Sequence, residues 1–206
     1  MKLAIVALLA GSAAAFAPST TIQPSTTLHA SFENEIGSQK PLGYWDPLNF
    51  LLDQDQERFD RLRYVELKHG RISMLAFLGH VTTSSGYHLD GNIDQSGTAF
   101  SSIKNGIAGI SEMPTAGLLQ IIAFCGFLEL SVMKDVTGKA EFDGDFRNGY
   151  IDFGWDKFSD EEKLQKRGIE LNNGRAAMMG ILGLMVHEML PGDTYVLNAV
   201  FGYPSS

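Results

Sequence analysis

The sequence predicts an all-α membrane protein of three long helices, the first and third crossed about a local two-fold axis. Three observations carry this. "ELKHGRISM" at residues 66–74 returns 104 residues later as "ELNNGRAAM" at 170–178; with "LAFLG" (75–79) answered by "MGILG" (179–183), seven of fourteen aligned positions are identical. Both copies run into apolar stretches: after Arg71 as far as Ser85, and after Arg175 as far as Leu190, the only ionisable side chains are His80, His187 and Glu188. No segment alternates apolar and polar residues convincingly enough to read as a strand.

The elements follow in order. "MKLAIVALLAGSAAAFAP" has an early Lys, a short apolar run and then small residues, the pattern of a secretory signal peptide. "STTIQPSTTLHA" behind it is rich in Ser and Thr and free of acidic residues, like an organelle transit segment. Residues 1–30 are therefore expected to be a bipartite targeting presequence, with a mature domain over 31–206 beginning near Ala30 or Ser31. "KPLGYWDPLNFLL" (40–52) reads as an irregular packed segment with a turn at Asp46-Pro47. A first helix is expected at about 56–85, and the Gly/Ser/Asn/Asp-rich stretch 82–114 reads as a long connection shaped by function or ligand. A second helix is expected at about 115–134, interrupted only by Gln120 and Glu129. The third, at about 159–190, starts at a capping box, Ser159 with Glu162, and stops at Pro191-Gly192.

None of the three gives the roughly 20 mostly apolar residues of a simple membrane span, so hydropathy alone leaves a soluble bundle open and the repeated motif has to decide. Without residues 1–30 the chain carries 15 Lys/Arg against 24 Asp/Glu, a net charge of −9 that argues against a nucleic-acid partner. The single Cys125 excludes an intrachain disulfide and leaves a soft-metal site short of thiolates. Its apolar setting, "IIAFCGFLEL", predicts a buried, inert thiol.

The motif has a physical reading. At about 100° per residue, His69 shares a helix face with Glu66, whereas Arg71 lies about 140° away and is badly placed to pair with it. Two helices crossing about a two-fold axis solve the problem reciprocally, Glu66 meeting Arg175 while Glu170 meets Arg71. Gly70 and Gly174 would let the backbones approach, as small residues do in membrane helix pairs. An unpaired charge at mid-membrane costs at least about 2.5 to 3.5 kcal/mol, and reciprocal pairing removes that objection. A Glu neutralised by Arg is then a net-neutral oxygen ligand for a hard cation such as magnesium, the metal of chlorophyll, and His69 and Asn173 would add two axial ligands. His187 lies fourteen residues after Asn173, about 40° round the same helix and about 21 Å along it, so it is a further candidate. His80 and the loop residue His88 are weaker ones.

These residues resemble the light-harvesting chlorophyll-binding superfamily, whose first and third membrane helices each carry E-x-x-(H/N)-x-R. "ELKHGR" and "ELNNGR" both match. The family places a Gln ligand where His187 stands, and its middle-helix Glu ligand matches Glu129. The Arg that accompanies this Glu three residues later in plant members is Val132 here, with Lys134 nearby. The family's short fourth helix has no counterpart in "DTYVLNAVFGYPSS". With the "AAAFAP" presequence, the chain is similar to diatom fucoxanthin–chlorophyll a/c proteins. The resemblance implies a non-catalytic antenna of the plastid thylakoid that binds chlorophyll a, chlorophyll c, fucoxanthin and diadinoxanthin, and works with other antenna subunits and a photosystem core. It implies chlorophyll ligands at Glu66, His69, Gln120, Glu129, Glu170, Asn173 and His187, braced by Arg71 and Arg175, and a carotenoid end at "GYWDPLNFLL". The alternatives are an energy-dissipating relative, a pigment-free membrane protein, and a di-iron bundle. The last would read Glu66 and His69 as half of a carboxylate site, but the repeat offers Asn173 where a second His is needed.

Overall fold

The computed structural model describes residues 32–51, 55–150 and 152–189. The expected presequence, the mature start at Ala30 or Ser31, the helix end at Leu190 with Pro191-Gly192, and the C-terminal "DTYVLNAVFGYPSS" lie outside those residues. Four α-helices are present among them: α1 (Gln56–Ser84), α2 (Gly106–Glu112), α3 (Thr115–Phe127) and α4 (Asp160–Met189). Among the described residues, extended pairing is limited to two isolated bridges, Gln39 with Gly43 and Asn92 with Ala99.

The long helices begin where side chains can satisfy their first amides. Asp55 accepts from the Glu57 N–H at 3.1 Å to open α1. At α4 the capping box forms in both directions, the Ser159 N–H donating to Glu162 Oε2 at 2.9 Å and the Glu162 N–H to Ser159 Oγ at 3.3 Å. The Asp46-Pro47 turn forms as well, with Asp46 accepting from the Phe50 and Leu51 N–H groups at 3.0 and 2.9 Å.

α1 and α4 pack against each other at two glycines. A Cβ on either Gly70 or Gly174 would stand 2.9 Å from the other's Cα, so no larger residue fits the contact. Around this end of the pair lies a small core. Phe32, Phe59, Leu67 and Leu171 are the buried hydrophobics among the described residues, with Phe32 stacked on Phe59 at 4.3 Å. Beyond the glycines the pattern inverts: Leu75 (73 %), Leu78 (64 %) and Met179 (70 %) face outward, as does most of α3. A protein folded in water buries such residues and does not line three helices with them.

The structure departs from the sequence expectation in four places. First, the 82–114 connection contains α2, whose start is tied to both long helices. Glu188 Oε2 accepts from the Ile107 N–H at 3.0 Å while Glu188 Oε1 meets His80 Nε2 at 2.6 Å. Gly106, at φ +65°, sits so close that a Cβ would fall 1.5 Å from Glu188 Oε1. Second, the middle helix is not α-helical to residue 134. It passes at Leu128 into a π-helical turn ending at Val132, closed by the Met133 N–H donating to Leu128 O at 2.7 Å. Third, Thr115–Val132 is long and apolar enough, over 18 residues, to cross a membrane by length and composition; its polar residues are only Thr115, Gln120, Glu129 and Ser131, with Glu129 near the end. Fourth, Cys125 is exposed rather than buried, because α3 turns its apolar surface outward instead of into a protein core.

Candidate functional site

The two copies of the motif meet across the glycine contact. Arg175 Nε donates to Glu66 Oε1 at 2.7 Å, and Arg71 Nε donates to Glu170 Oε1 at 2.6 Å. Each guanidinium also binds a loop carbonyl. Arg175 Nη1 reaches that of Gly37 (2.9 Å), and Arg71 Nη1 reaches that of Gly144 (2.8 Å). Both glycines are in the left-handed region, φ +105° and +85°. A Cβ on Gly37 would lie 2.5 Å from Leu171 Cδ2, and one on Gly144 would lie 3.4 Å from Leu67 Cδ1. Each Arg therefore fastens the partner helix together with the loop that leads into that helix.

The symmetry is not complete. Arg63 Nη1 donates to Glu66 Oε2 at 2.7 Å, so both oxygens of Glu66 face a cation. Arg167, at the matching position of α4, instead lies over the Phe142 ring at 4.2 Å. A carboxylate oxygen has lone pairs to spare after one hydrogen bond. Both glutamates thus keep acceptor capacity, and Glu170 more of it.

His69 is exposed on α1, and its Nδ1 lies 2.8 Å from Val65 O. A carbonyl only accepts, so Nδ1 carries the proton and the Nε2 lone pair faces outward. This is the arrangement in which histidine serves as a metal ligand, its second nitrogen oriented by a backbone carbonyl. Of the adjacent asparagines on α4, Asn172 donates to Gln39 Oε1 at 2.7 Å, while Asn173 is exposed on the outer face. Gln120 is exposed on α3, and Glu129 is half-buried within the π turn. His187 is half-buried near the end of α4, and His88 is half-buried in the loop after α1. His80 is buried, with Nε2 against Glu188 and Nδ1 3.2 Å from Ser84 Oγ; both ring nitrogens are engaged within the protein, which removes it from the ligand set.

Three functional features escape sequence reasoning. The cation facing Glu129 is Lys68 of α1, whose Nζ bonds Glu129 Oε2, and not Lys134, the nearest candidate along the chain. Glu188 pins α2, as described above. Gly37 and Gly144 receive the arginines, and here a signal is present. Gly37 opens G-x5-G-Y-x-D, ending at Asp46, and Gly144 opens G-x4-G-Y-x-D, ending at Asp152, so the repeat extends upstream of both helices. The second of these loops is held by Arg147, which donates to Asp145 through Nε (2.9 Å) and Nη2 (2.6 Å) and keeps that carboxyl ionised down to about pH 2.

The geometry does not favour the di-iron arrangement. Among the described residues no three His, Cys, Asp or Glu side chains stand close enough together to share a metal ion.

Residues 32–189 match the protein family described as chlorophyll A-B binding protein. The chain belongs to this family. A fucoxanthin-chlorophyll a-c binding protein of Trieres chinensis, described as chloroplastic, is 67 % identical over 201 residues, covering 96 % of this chain and 99 % of the relative. Fucoxanthin-chlorophyll a-c binding protein A of Phaeodactylum tricornutum is 62 % identical over 191 residues, 92 % of this chain and 97 % of the relative. The corresponding protein B of Macrocystis pyrifera is 50 % identical over 214 residues, covering 98 % and 97 %. Membership of the chlorophyll-binding family fits the outward apolar surface of the helices.

Proposed function

We propose that this chain is a light-harvesting antenna of the plastid thylakoid, binding chlorophylls a and c and fucoxanthin and passing excitation to a photosystem. The observation that carries the reading is the outward Nε2 of His69 on a helix whose large apolar side chains also face outward. The names of its relatives, fucoxanthin-chlorophyll a-c binding proteins, support the pigment set. Bound chlorophyll supplies the absorbing macrocycle with its magnesium, and fucoxanthin extends absorption into the blue-green.

In this reading α1, α3 and α4 span the membrane, with α1 and α4 crossed about a pseudo-two-fold axis held by the Glu66–Arg175 and Glu170–Arg71 pairs. His69, Asn173, Glu66, Glu170, Glu129, Gln120 and His187 hold chlorophyll magnesium, each on a rigid helix, so that spacing and orientation are set by the backbone. Arg71 and Arg175 pair with the two glutamates and make them net-neutral as ligands. Diadinoxanthin would join fucoxanthin as a second bound carotenoid. Residues 1–30 serve as the presequence and residues 31–206 form the pigment-binding domain, which assembles with other antenna subunits around a photosystem core.

The fluorescence-excitation spectrum of the purified native protein tests this. Blue-green carotenoid excitation is expected to emerge as chlorophyll a fluorescence. Pigment absorption with strongly quenched emission would replace the antenna by a dissipative relative, and a colourless protein would refute pigment binding.

A further inference from the structure

At one of the positions where the two copies of the motif differ, the structure uses the two residues differently. Where α4 carries Asn172, which donates to Gln39, α1 carries Lys68, whose ammonium bonds Glu129 Oε2 on the π turn after α3. The Lys68 ammonium is held from behind: it lies 5.5 Å from the centroid of the Tyr64 ring, one turn earlier on α1, and Phe146 packs edge-on against Tyr64 at 6.2 Å. The π turn lodges an extra residue in one turn of helix and so resets the direction in which Glu129 leaves it; such turns collect at functional sites. Three residues on from Glu129, where a cation on the same helix would face it, the chain has Val132.

We propose that Lys68 is the positioning residue of the pigment site on the middle helix. Reaching across from α1, it supplies the counter-charge that makes Glu129 a net-neutral oxygen ligand for chlorophyll magnesium, and it fixes the stance of that helix against α1. This rests on the pigment-binding reading above. Lys68 bonds Oε2, and the carboxylate keeps acceptor capacity for a metal. Without the cation, Glu129 is left with an uncompensated charge and without the bond that holds its position, and the site weakens.

The test uses the full-length pigment–protein complex purified from its membrane, with chlorophyll per chain counted after extraction. Lys68→Met is expected to lose about one chlorophyll, and Lys68→Arg, which keeps the cation, is expected to lose none. Adding Glu129→Gln to Lys68→Met should restore the count, because an amide oxygen ligates magnesium without a counter-charge. A full complement in Lys68→Met, or a double variant as depleted as Lys68→Met, would overturn the role of Lys68. Unchanged chlorophyll in Glu129→Leu would instead sink the assignment of Glu129 as a ligand, and a pigment-free wild-type chain would sink the reading on which both depend.

Discussion

Replacing Arg71 with Leu is expected to prevent the pigment-loaded protein from accumulating, and replacing Arg175 with Leu to weaken it severely. Each substitution removes the donor to a glutamate of the opposite helix and the donor to a loop carbonyl, Gly144 O in one case and Gly37 O in the other. Removing one partner of a fully buried ion pair costs about 3–5 kcal/mol, because the remaining charge is left uncompensated; these pairs are only part-buried, and a smaller cost is expected for each. The two cases differ in what remains. Glu66 keeps Arg63 on Oε2 after the loss of Arg175, whereas Arg167 lies over the Phe142 ring. Arg175→Leu should therefore cost less than Arg71→Leu. Yield of chlorophyll-containing protein and its thermal midpoint, followed by pigment circular dichroism, measure both. Wild-type yield and midpoint in the two variants would refute the reciprocal brace.

The glycine contact should be as unforgiving. Gly174→Ala places a methyl 2.9 Å from the Gly70 Cα, where backbone has to move rather than a side chain. Overpacking of this kind costs about 1–3 kcal/mol. Gly174→Leu forces the helix axes apart and strains the arginine bonds, at 2.6 and 2.7 Å, that join them. Loss of chlorophyll-containing protein is expected for Gly174→Leu, with a lowered thermal midpoint for Gly174→Ala. Undiminished accumulation of Gly174→Leu would show that the close approach of α1 and α4 is dispensable.

Much of this is legible in the sequence, for identifiable reasons. The last long helix announces itself through its cap: the Ser159–Glu162 box is a local device that acts within four residues. The Glu66, Arg71, Glu170 and Arg175 set is legible because the motif is written twice, and a repeated charge in an apolar helix calls for a partner elsewhere. Contacts made once between distant residues are not. Lys68 reaches Glu129, and Glu188 reaches Ile107, across 61 and 81 residues with no second copy to compare. α2 is only two turns long and sits in a Gly- and Ser-rich stretch, where tertiary contacts, not propensity, make the helix. The expectation for Cys125 fails because an apolar neighbourhood in sequence is not the same as burial in protein, and α3 presents its apolar residues outward.

Chlorophyll ligation by outward side chains is tested most directly by counting chlorophyll per chain in His69→Leu beside the wild type. His69 is exposed, and its one hydrogen bond is to a carbonyl of its own helix, so the substitution leaves the α1–α4 contact intact. The expected result is a loss of about one chlorophyll with helicity and yield retained. An unchanged chlorophyll count in a folded His69→Leu protein would contradict ligation at this position, and with it the inference that the outward ligands are what the fold exists to present.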